Sequence, residues 1–504
     1  MKHIIAKTII FCALLAGCQP SKTSTTIYES PQFKIYNDKV VQGEYEAIAI
    51  SPKEIISNYQ SPANENLSPL IEFKFSINGK DDEFAPGKNH LYLIGDTNPT
   101  YTFGDISPEE MGRSIDGKKL SPNTKATIKM DASNVIKSFE QHGYYITPTG
   151  DKIFKSDFDG FYIAGSQDPL SWDFDNLKGR QDMKLQPTGE YGIYEITLTL
   201  NPYNEGNFVS QKWVLKNDIS KFPQYNSDQV LVDALYNLSL DETVLDTEDD
   251  DTFRTGKEWS GVWTRDVSYS ILLAYAMIEP EIAKNSLLRK VKRDRIIQDT
   301  GSGGAWPVST DRTTWALAAY EVYKSTGDQD WLEKAFQIID NSIKDDEKTI
   351  VDHKTGLRKG ESSFLDWRTQ EYPIWMTNVD IYNSECLGTN AVHFQTYQIL
   401  AEMAELLGIN NEAYLAQAEN IKKGMNEYLW VPSKGYYGMY LYGLEYQSLD
   451  PRPEILGEAF TVLFDIADST QAQQTISNVP MTPYGATCFY PQIPDVFPYH
   501  NNGI

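Results

Sequence analysis

Cysteine is scarce in this 504-residue chain. Four residues are too few for a disulfide framework, and Cys386 and Cys488, far apart in sequence, read as buried thiols. Basic charge is also in deficit. Lys and Arg number 45 against 70 Asp and Glu, a net charge of -25, and a surface of that sign repels phosphate backbones and excludes nucleic acid as a partner. Beyond the N-terminus no run of about 18 apolar residues occurs, so no transmembrane helix is expected. The six His and four Cys show no zinc-type spacing. No Gly-rich loop leads into Lys-Ser or Lys-Thr, which excludes a phosphate cradle of that kind. No Asp-Asp-x-x-Asp stands on a predicted helix. The acidic run Glu248-Asp249-Asp250-Asp251 lies in a polar stretch and reads as a solvated turn or a calcium site, so calcium apart no cofactor is expected. What is abundant is aromatic surface, with 31 Tyr and 10 Trp, which serves both as core material and as stacking platforms for sugar faces.

Lys2 and Lys7 flank a short apolar run, Ile9 to Ala16, that is too short to span a bilayer and reads as an export signal over residues 1–17. Leu15-Ala16-Gly17-Cys18 resembles a bacterial lipoprotein cleavage box. That resemblance implies a lipidated Cys18, a tether over 18–27, and residence in the bacterial cell envelope with the lipid anchor as the only membrane contact. The alternative is an ordinary secretory signal.

Two periodicities follow. From 28 to 215 Gly, Pro, Asn and Asp interrupt the chain every ten or so residues, with short alternating stretches such as Ile71-Glu72-Phe73-Lys74-Phe75 and Leu91-Tyr92-Leu93 between them. This predicts a β-sandwich region, with two subdomains as one arrangement. Within it, 155–205 resembles a starch-binding-type module, which implies that Trp172 stacks on sugar; the alternative is a core or interface residue. From 225 the pattern is helical. Trp315, Ala318, Ala319 and Val322 fall at i, i+3, i+4 and i+7, and after Gly327 the residues Trp331, Ala335, Ile338, Ile339 and Ile343 line a second helix. The helix–Gly–helix theme recurs around Gly408, and a third pair is expected over 453–477. Repeated pairs predict a helical array or a closed toroid.

Three groups of residues carry chemistry. Trp263-Thr264-Arg265-Asp266 sets a guanidinium fork beside a carboxylate at a helix start, a pairing suited to adjacent sugar hydroxyls or to a surface ion pair. Gly360-Glu361-Ser362-Ser363-Phe364-Leu365-Asp366-Trp367-Arg368 places two carboxylates and an Arg among aromatics. Apolar neighbours raise a carboxyl pKa toward what a general acid needs. Trp306, Asp311 and Arg312, then Glu385 and Asn390, then His500 and Asn501 lie in polar and aromatic loops at expected helix starts, where the loops of one end of a toroid would make a pocket. For any single one of these, packing or helix capping is the competing role.

The first motif resembles that of glucoamylase, which implies that Arg265 and Asp266 bind the sugar in subsite −1. Thr326-Gly327-Asp328 followed by Trp331-Leu332 resembles six-hairpin glycosidases. Glu361 to Arg368 is similar to the acid-bearing motif of trehalases and of processing α-glucosidase I and its bacterial relatives, which implies Asp366 as the general acid. Phe364-Leu365 departs from the usual spacing and leaves Glu361 as a rival acid. The resemblance covers 225–504 and implies an α+β multidomain protein: an N-terminal β-sandwich followed by an (α/α)6 barrel that inverts the anomeric centre. Inversion requires a second carboxylate about 6.5–9.5 Å from the acid to activate water. In the similar families that base is a Glu near the last hairpin. About nine helices are predicted where a closed barrel needs twelve, so the barrel is expected to be truncated at its C-terminus, with the base beyond residue 504 and Glu445 and Glu458 as substitutes within the chain. The expected activity is an exo-acting α-glycosidase, α-glucosidase-like, taking an oligosaccharide or α-glucan. The alternative is a non-catalytic glycan-binding surface lipoprotein of the same architecture.

Overall fold

The computed structural model describes residues 24–60, 63, 65, 67–84, 88–95, 100–107, 119–203, 211–256, 259–299, 305–361, 372, 373, 375–482 and 485–491. The chain forms two compact units, one of Met1–Pro62 with Glu205–Leu245 and one of Ala63–Asn204 with Asp246–Ile504.

The first unit is a six-stranded antiparallel sheet. Five strands between Thr26 and Ser57 meander in chain order, and Gln211–Val214 adds at the edge beside Glu54–Ser57. The helix Val230–Leu245 covers this sheet, burying Leu231 and Ala234 against Ala49, with Ile35, Val40, Ile55 and Trp213 around them. Asn237 donates to the Pro52 carbonyl at 2.8 Å, and Asp241 accepts from the Trp213 indole at 3.1 Å. A helix starting after 225 was expected in the helical array. Its apolar residues instead complete the N-terminal sheet.

The second unit contains a β-sandwich and a helical region. One sheet runs Phe161–Gly165, Leu70–Ile77, His90–Leu93; the other runs Gln186–Pro187, Ile193–Leu200, Thr124–Asp131, Thr100–Thr102. Alternation sorts their inner faces: Ile71, Phe73, Phe75 and Ile77 from one sheet join Ile128, Met130, Ile196, Leu198 and Leu200 from the other in one core. The segment 155–205 does not stand as a separate module. Its strands are hydrogen-bonded to Leu70–Ile77 and Thr124–Asp131, so its core is the core of the whole sandwich. Trp172 is half-buried and packs on that core beside Phe174.

In the helical region the principal helices are α1 (Thr264–Ser270, continuing through a wider-wound turn to Ile278), α2 (Pro280–Arg289), α3 (Thr314–Thr326), α4 (Gln329–Thr349), α5 (Leu387–Leu406), α6 (Glu412–Gly424), α7 (Ile455–Leu463) and α8 (Ser469–Asn478). They alternate in role. α1, α3, α5 and α7 pack side by side in succession, and α3 and α5 are buried on most of their circumference. α4 buries one face, with Trp331, Ala335, Ile338, Ile339 and Ile343 all inside, as the periodicity predicted. The α3–α4 turn depends on Gly327 at φ 68°, a left-handed position that glycine takes without strain, and on Asp328, whose side chain accepts from the Trp331 N–H at 3.0 Å.

Inner helices meet closely where α7 crosses the start of α5. A Cβ on Gly457 would stand 2.8 Å from Leu387 Cγ and 2.9 Å from the Gly388 nitrogen. Gly457→Ala is therefore expected to destabilise by about 1–3 kcal/mol, despite alanine's better helix propensity. Urea denaturation of the two proteins checks this, and an alanine variant as stable as the parent would show that the helices can move apart freely.

Candidate functional site

All the inner helices begin at the same end of the hairpins, and the segments that lead into them are joined laterally. Ser309 bridges Glu361 and Gly360 bridges Glu385, both in parallel register; Glu385-Cys386 then pairs with Leu441-Tyr440, and Tyr440–Tyr442 pairs with Ser448–Asp450. The backbone bonds Glu361 N–H to Val308 O at 3.0 Å, Gly360 N–H to Ser384 O at 2.8 Å and Leu387 N–H to Met439 O at 2.9 Å hold this ladder. Gly360 is required where it crosses Thr310. Its φ is 119°, and a Cβ would lie 2.5 Å from the Thr310 hydroxyl oxygen. The ladder sets residues from separate hairpins next to one another at the mouths of α3 and α5.

Arg265, in the first turn of α1, is 6% exposed, and its Nη1 donates to Asp311 Oδ2 at 2.9 Å. This ion pair joins the first turn of α1 to the entry to α3, and the adjacent Asp266 is half-buried. Gln298 donates to the other Asp311 oxygen at 2.5 Å and accepts from the Arg312 backbone N–H at 2.9 Å. Trp263, half-buried, is the residue that precedes α1.

Arg312 and Asn390 turn inward. The Arg312 guanidinium is buried; it donates to Asp346 at 2.7 Å and to the Ser342 and Ile296 carbonyls, and lies 4.9 Å from the centre of the Trp306 ring. Trp306 donates to the same Asp346 oxygen at 2.8 Å. These groups strap the approach to α3 onto α4. Asn390 has no exposed surface; its amide accepts from Arg358 N–H at 2.7 Å and donates to the Arg358 and Cys386 carbonyls. Both residues were expected to meet sugar, yet their polar atoms hold the protein's own backbone and a partner carboxylate.

Glu361 is buried, takes the Ser309 hydroxyl as a donor, and its carbonyl accepts from Thr389 at 2.5 Å. Glu385, also buried, accepts from Thr355 and Gln447, each at 2.7 Å. Burial, with Asp352 close by, pushes its carboxyl up to about 7. Asp366, Trp367, Arg368, His500, Asn501 and Cys18 lie outside the described residues. Glu445 is exposed, and Glu458, in the first turn of α7, is 1% exposed with no hydrogen bond to either carboxyl oxygen among the described residues. Cys386 and Cys488 are buried free thiols, as expected.

Some buried or half-buried titratable groups were not foreseen. His393 on α5 lies within hydrogen-bond distance of the Thr310 carbonyl, at 3.0 Å, and burial with Arg358 nearby lowers its pKa to about 3, so it stays neutral. Asp352 accepts from the Lys354 N–H at 2.8 Å. Glu454 caps α7 by accepting from Gly457 N–H at 3.0 Å, and burial pushes it up to about 7. The i, i+4 spacing of Glu454 and Glu458 at a helix start was a signal available in the sequence. The acidic run near 250 forms a turn in which Glu248 pairs with Arg254 and Asp250 with Arg289. Among the described residues no group of three His, Cys, Asp or Glu is placed to hold a metal ion, and no helix is long and apolar enough to cross a membrane.

The carboxyls set the direction of pH dependence. Burial, with Glu454 adding repulsion, holds the Glu458 pKa well above its ordinary 4.5. The folded chain keeps a proton that the unfolded chain releases, so stability falls as pH rises above about 4.5. Glu385 and Glu454 give the same slope between their ordinary 4.5 and about 7. Glu458→Gln removes its share of that slope. The variant is expected to match the parent near pH 4 and to be more stable by about 1–3 kcal/mol at pH 8. Urea denaturation at the two pH values decides it, and equal stability at pH 8 would mean that Glu458 is solvated or paired.

Successive hairpins with one row of helices inside, and loops laced together where those helices begin, give the helical region an arrangement similar to that of six-hairpin glycosidases. Residues 262–478 match the model of the bacterial alpha-L-rhamnosidase six-hairpin glycosidase domain. That span runs from the residue before Trp263 to the last residue of α8. Solved structures similar to the chain include a rhamnosidase from Klebsiella oxytoca with rhamnose bound, at 11% identity over 86% of this chain and 72% of that one, with TM-score 0.37. A GH78 family rhamnosidase of Bacillus sp. GL1 is similar at 12% identity over 93% of this chain, with TM-score 0.39; the chain spans 39% of that protein's length. A GH63 mannosylglycerate hydrolase from Thermus thermophilus is similar at 12% identity over 47% of this chain and 75% of that one, with TM-score 0.36. The comparison with curated proteins gave no match.

Proposed function

We propose that the chain is an inverting, exo-acting α-glycosidase held at the bacterial cell envelope through a lipidated Cys18. The observation that supports this best is the ladder at the mouths of α3 and α5. It sets Glu361 of the acid-bearing motif beside Ser309 and next to Glu385, while the Arg265–Asp311 pair ties the first motif to the same segments. In this reading Asp366, a few residues after Glu361, protonates the leaving oxygen. Asp266 and Trp263 stand at the start of α1 for contact with the terminal sugar. A second carboxylate on the opposite face of the sugar activates water, and the exposed Glu445 is a described candidate, whereas the enclosed Glu458 keeps its proton. The name of the matched family model favours an α-L-rhamnosyl end over the α-glucosyl end suggested by the motifs.

The test is a screen of the full chain on α-L-rhamnosides and α-D-glucosides, followed by anomeric NMR from the first turnover. Early release of the β-anomer from an α-linked substrate is the expected result. Early release of the α-anomer would overturn inversion. Saccharide binding without hydrolysis of any substrate would replace the enzyme with a glycan-binding protein.

A further inference from the structure

A hollow of about 150 Å³ lies beside Glu385, lined by Asp352, Lys354, Lys359, Asn383, Glu445 and Gln447 together with Gly443 and Leu444. Its volume is about that of an engineered protein cavity known to hold one benzene, which puts it on the scale of a single ring and not of a longer saccharide. Its chemistry is the reverse of apolar. Two ammonium groups face two carboxylates and two amides, so the lining carries both signs in balance and suits a neutral ligand whose groups both donate and accept hydrogen bonds.

Several of these groups have bonding capacity to spare. The Lys359 ammonium stands 3.7 Å from Asp352 Oδ2 and 3.5 Å from Asn383 Oδ1, and the Lys354 ammonium is 3.5 Å from Gln447 Oε1. An ammonium has three donors, and contacts this long leave room for a shorter one. Gln447 donates from Nε2 to Glu385 at 2.7 Å, and its Oε1 faces the Lys354 ammonium. Glu445 makes no hydrogen bond or ion pair among the described residues. Aromatic surface stands on the chain at the edge. Tyr442 immediately precedes the lining residue Gly443, its ring 6.0 Å from that of Trp375, which is 58% exposed, and Tyr446 between Glu445 and Gln447 is 86% exposed.

We propose that this hollow is a binding subsite for one neutral pyranose unit of a saccharide, with Lys359, Asn383 and Asp352 on its hydroxyls and the Trp375–Tyr442 surface beside a ring face. The inference rests on the saccharide-active reading of the domain and adds to it a place for a further sugar unit. Crystals of the full chain soaked in methyl α-L-rhamnoside or in maltose are expected to show a pyranose in the hollow. Lys359→Met and Asn383→Ala are each expected to weaken binding of that sugar about tenfold, the equivalent of one good hydrogen bond, by calorimetry. A hollow that holds only water at saturating sugar would overturn the proposal. So would a uronate binding there in preference to the neutral sugars, or variants that bind as the parent does. Should either variant fail to fold, the soak alone decides. Hydrolysis with an empty hollow would remove the subsite and leave the enzyme; a filled hollow without hydrolysis would do the opposite.

Discussion

Asp311→Ala lowers the stability of the chain by about 3–5 kcal/mol, the usual cost of breaking a buried ion pair from one side. Asp311 is 1% exposed and Arg265 6%, and the carboxylate holds Arg265 with one oxygen and Gln298 with the other. Alanine removes the Asp311 carboxylate from a guanidinium held where water has little access. The loss spreads, because Gln298 also fixes the Arg312 backbone, and Arg312 carries the strap to Asp346 and Trp306. Arg265→Met in the Asp311→Ala background should recover part of the loss, since methionine has no charge to desolvate. Urea denaturation of the parent, both single variants and the double variant measures the coupling. A single-variant loss below about 1 kcal/mol would mean that the pair is solvated and that the mouths of α1 and α3 are not tied together through it.

Asp366→Asn lowers kcat by about 10²–10⁴ under the proposed mechanism, the range that a positioned general acid supplies. The effect depends on the leaving group. A disaccharide expels an alkoxide that needs the proton and shows the full loss. A dinitrophenyl glycoside expels a stable phenolate and is expected to keep most of its rate. Glu361→Gln is the control, because Glu361 is buried and takes the Ser309 hydroxyl and is the rival acid. If Glu361→Gln shows the leaving-group dependence and Asp366→Asn does not, the acid is Glu361. If neither does, the acid-bearing motif has been misassigned.

The helices were the legible part of this chain. Period 3.6 over Trp315 to Val322 and over Trp331 to Ile343 marked the buried stripes of α3 and α4, and Gly327 and Gly408 marked the turns after α3 and α5. The segments leading into α3 and α5 were recognisable as rim loops from their Gly, Ser, Asn and aromatic content. The helix Val230–Leu245 was not assignable to a unit. It carries apolar residues on both faces, with Leu231 and Leu240 buried but Leu235 and Leu245 exposed, so periodicity alone does not say what it packs on. The roles of Arg312 and Asn390 were hidden for another reason: a polar residue at a helix mouth looks the same whether it faces a ligand or the chain's own backbone.

By itself, then, the sequence determined local matters: which segments are strands, which are helices, where hairpins turn, and that polar and aromatic residues gather in the loops. Those properties follow from side-chain spacing within one element. Only the tertiary structure decided partners. Arg265 meets Asp311 from another hairpin, Glu385 meets Thr355 and Gln447, and Glu458 is enclosed with no hydrogen bond to its carboxyl oxygens among the described residues. Each of these depends on which hairpin stands beside which, and that is fixed by packing among inner helices and by backbone bonds between loops distant in the chain.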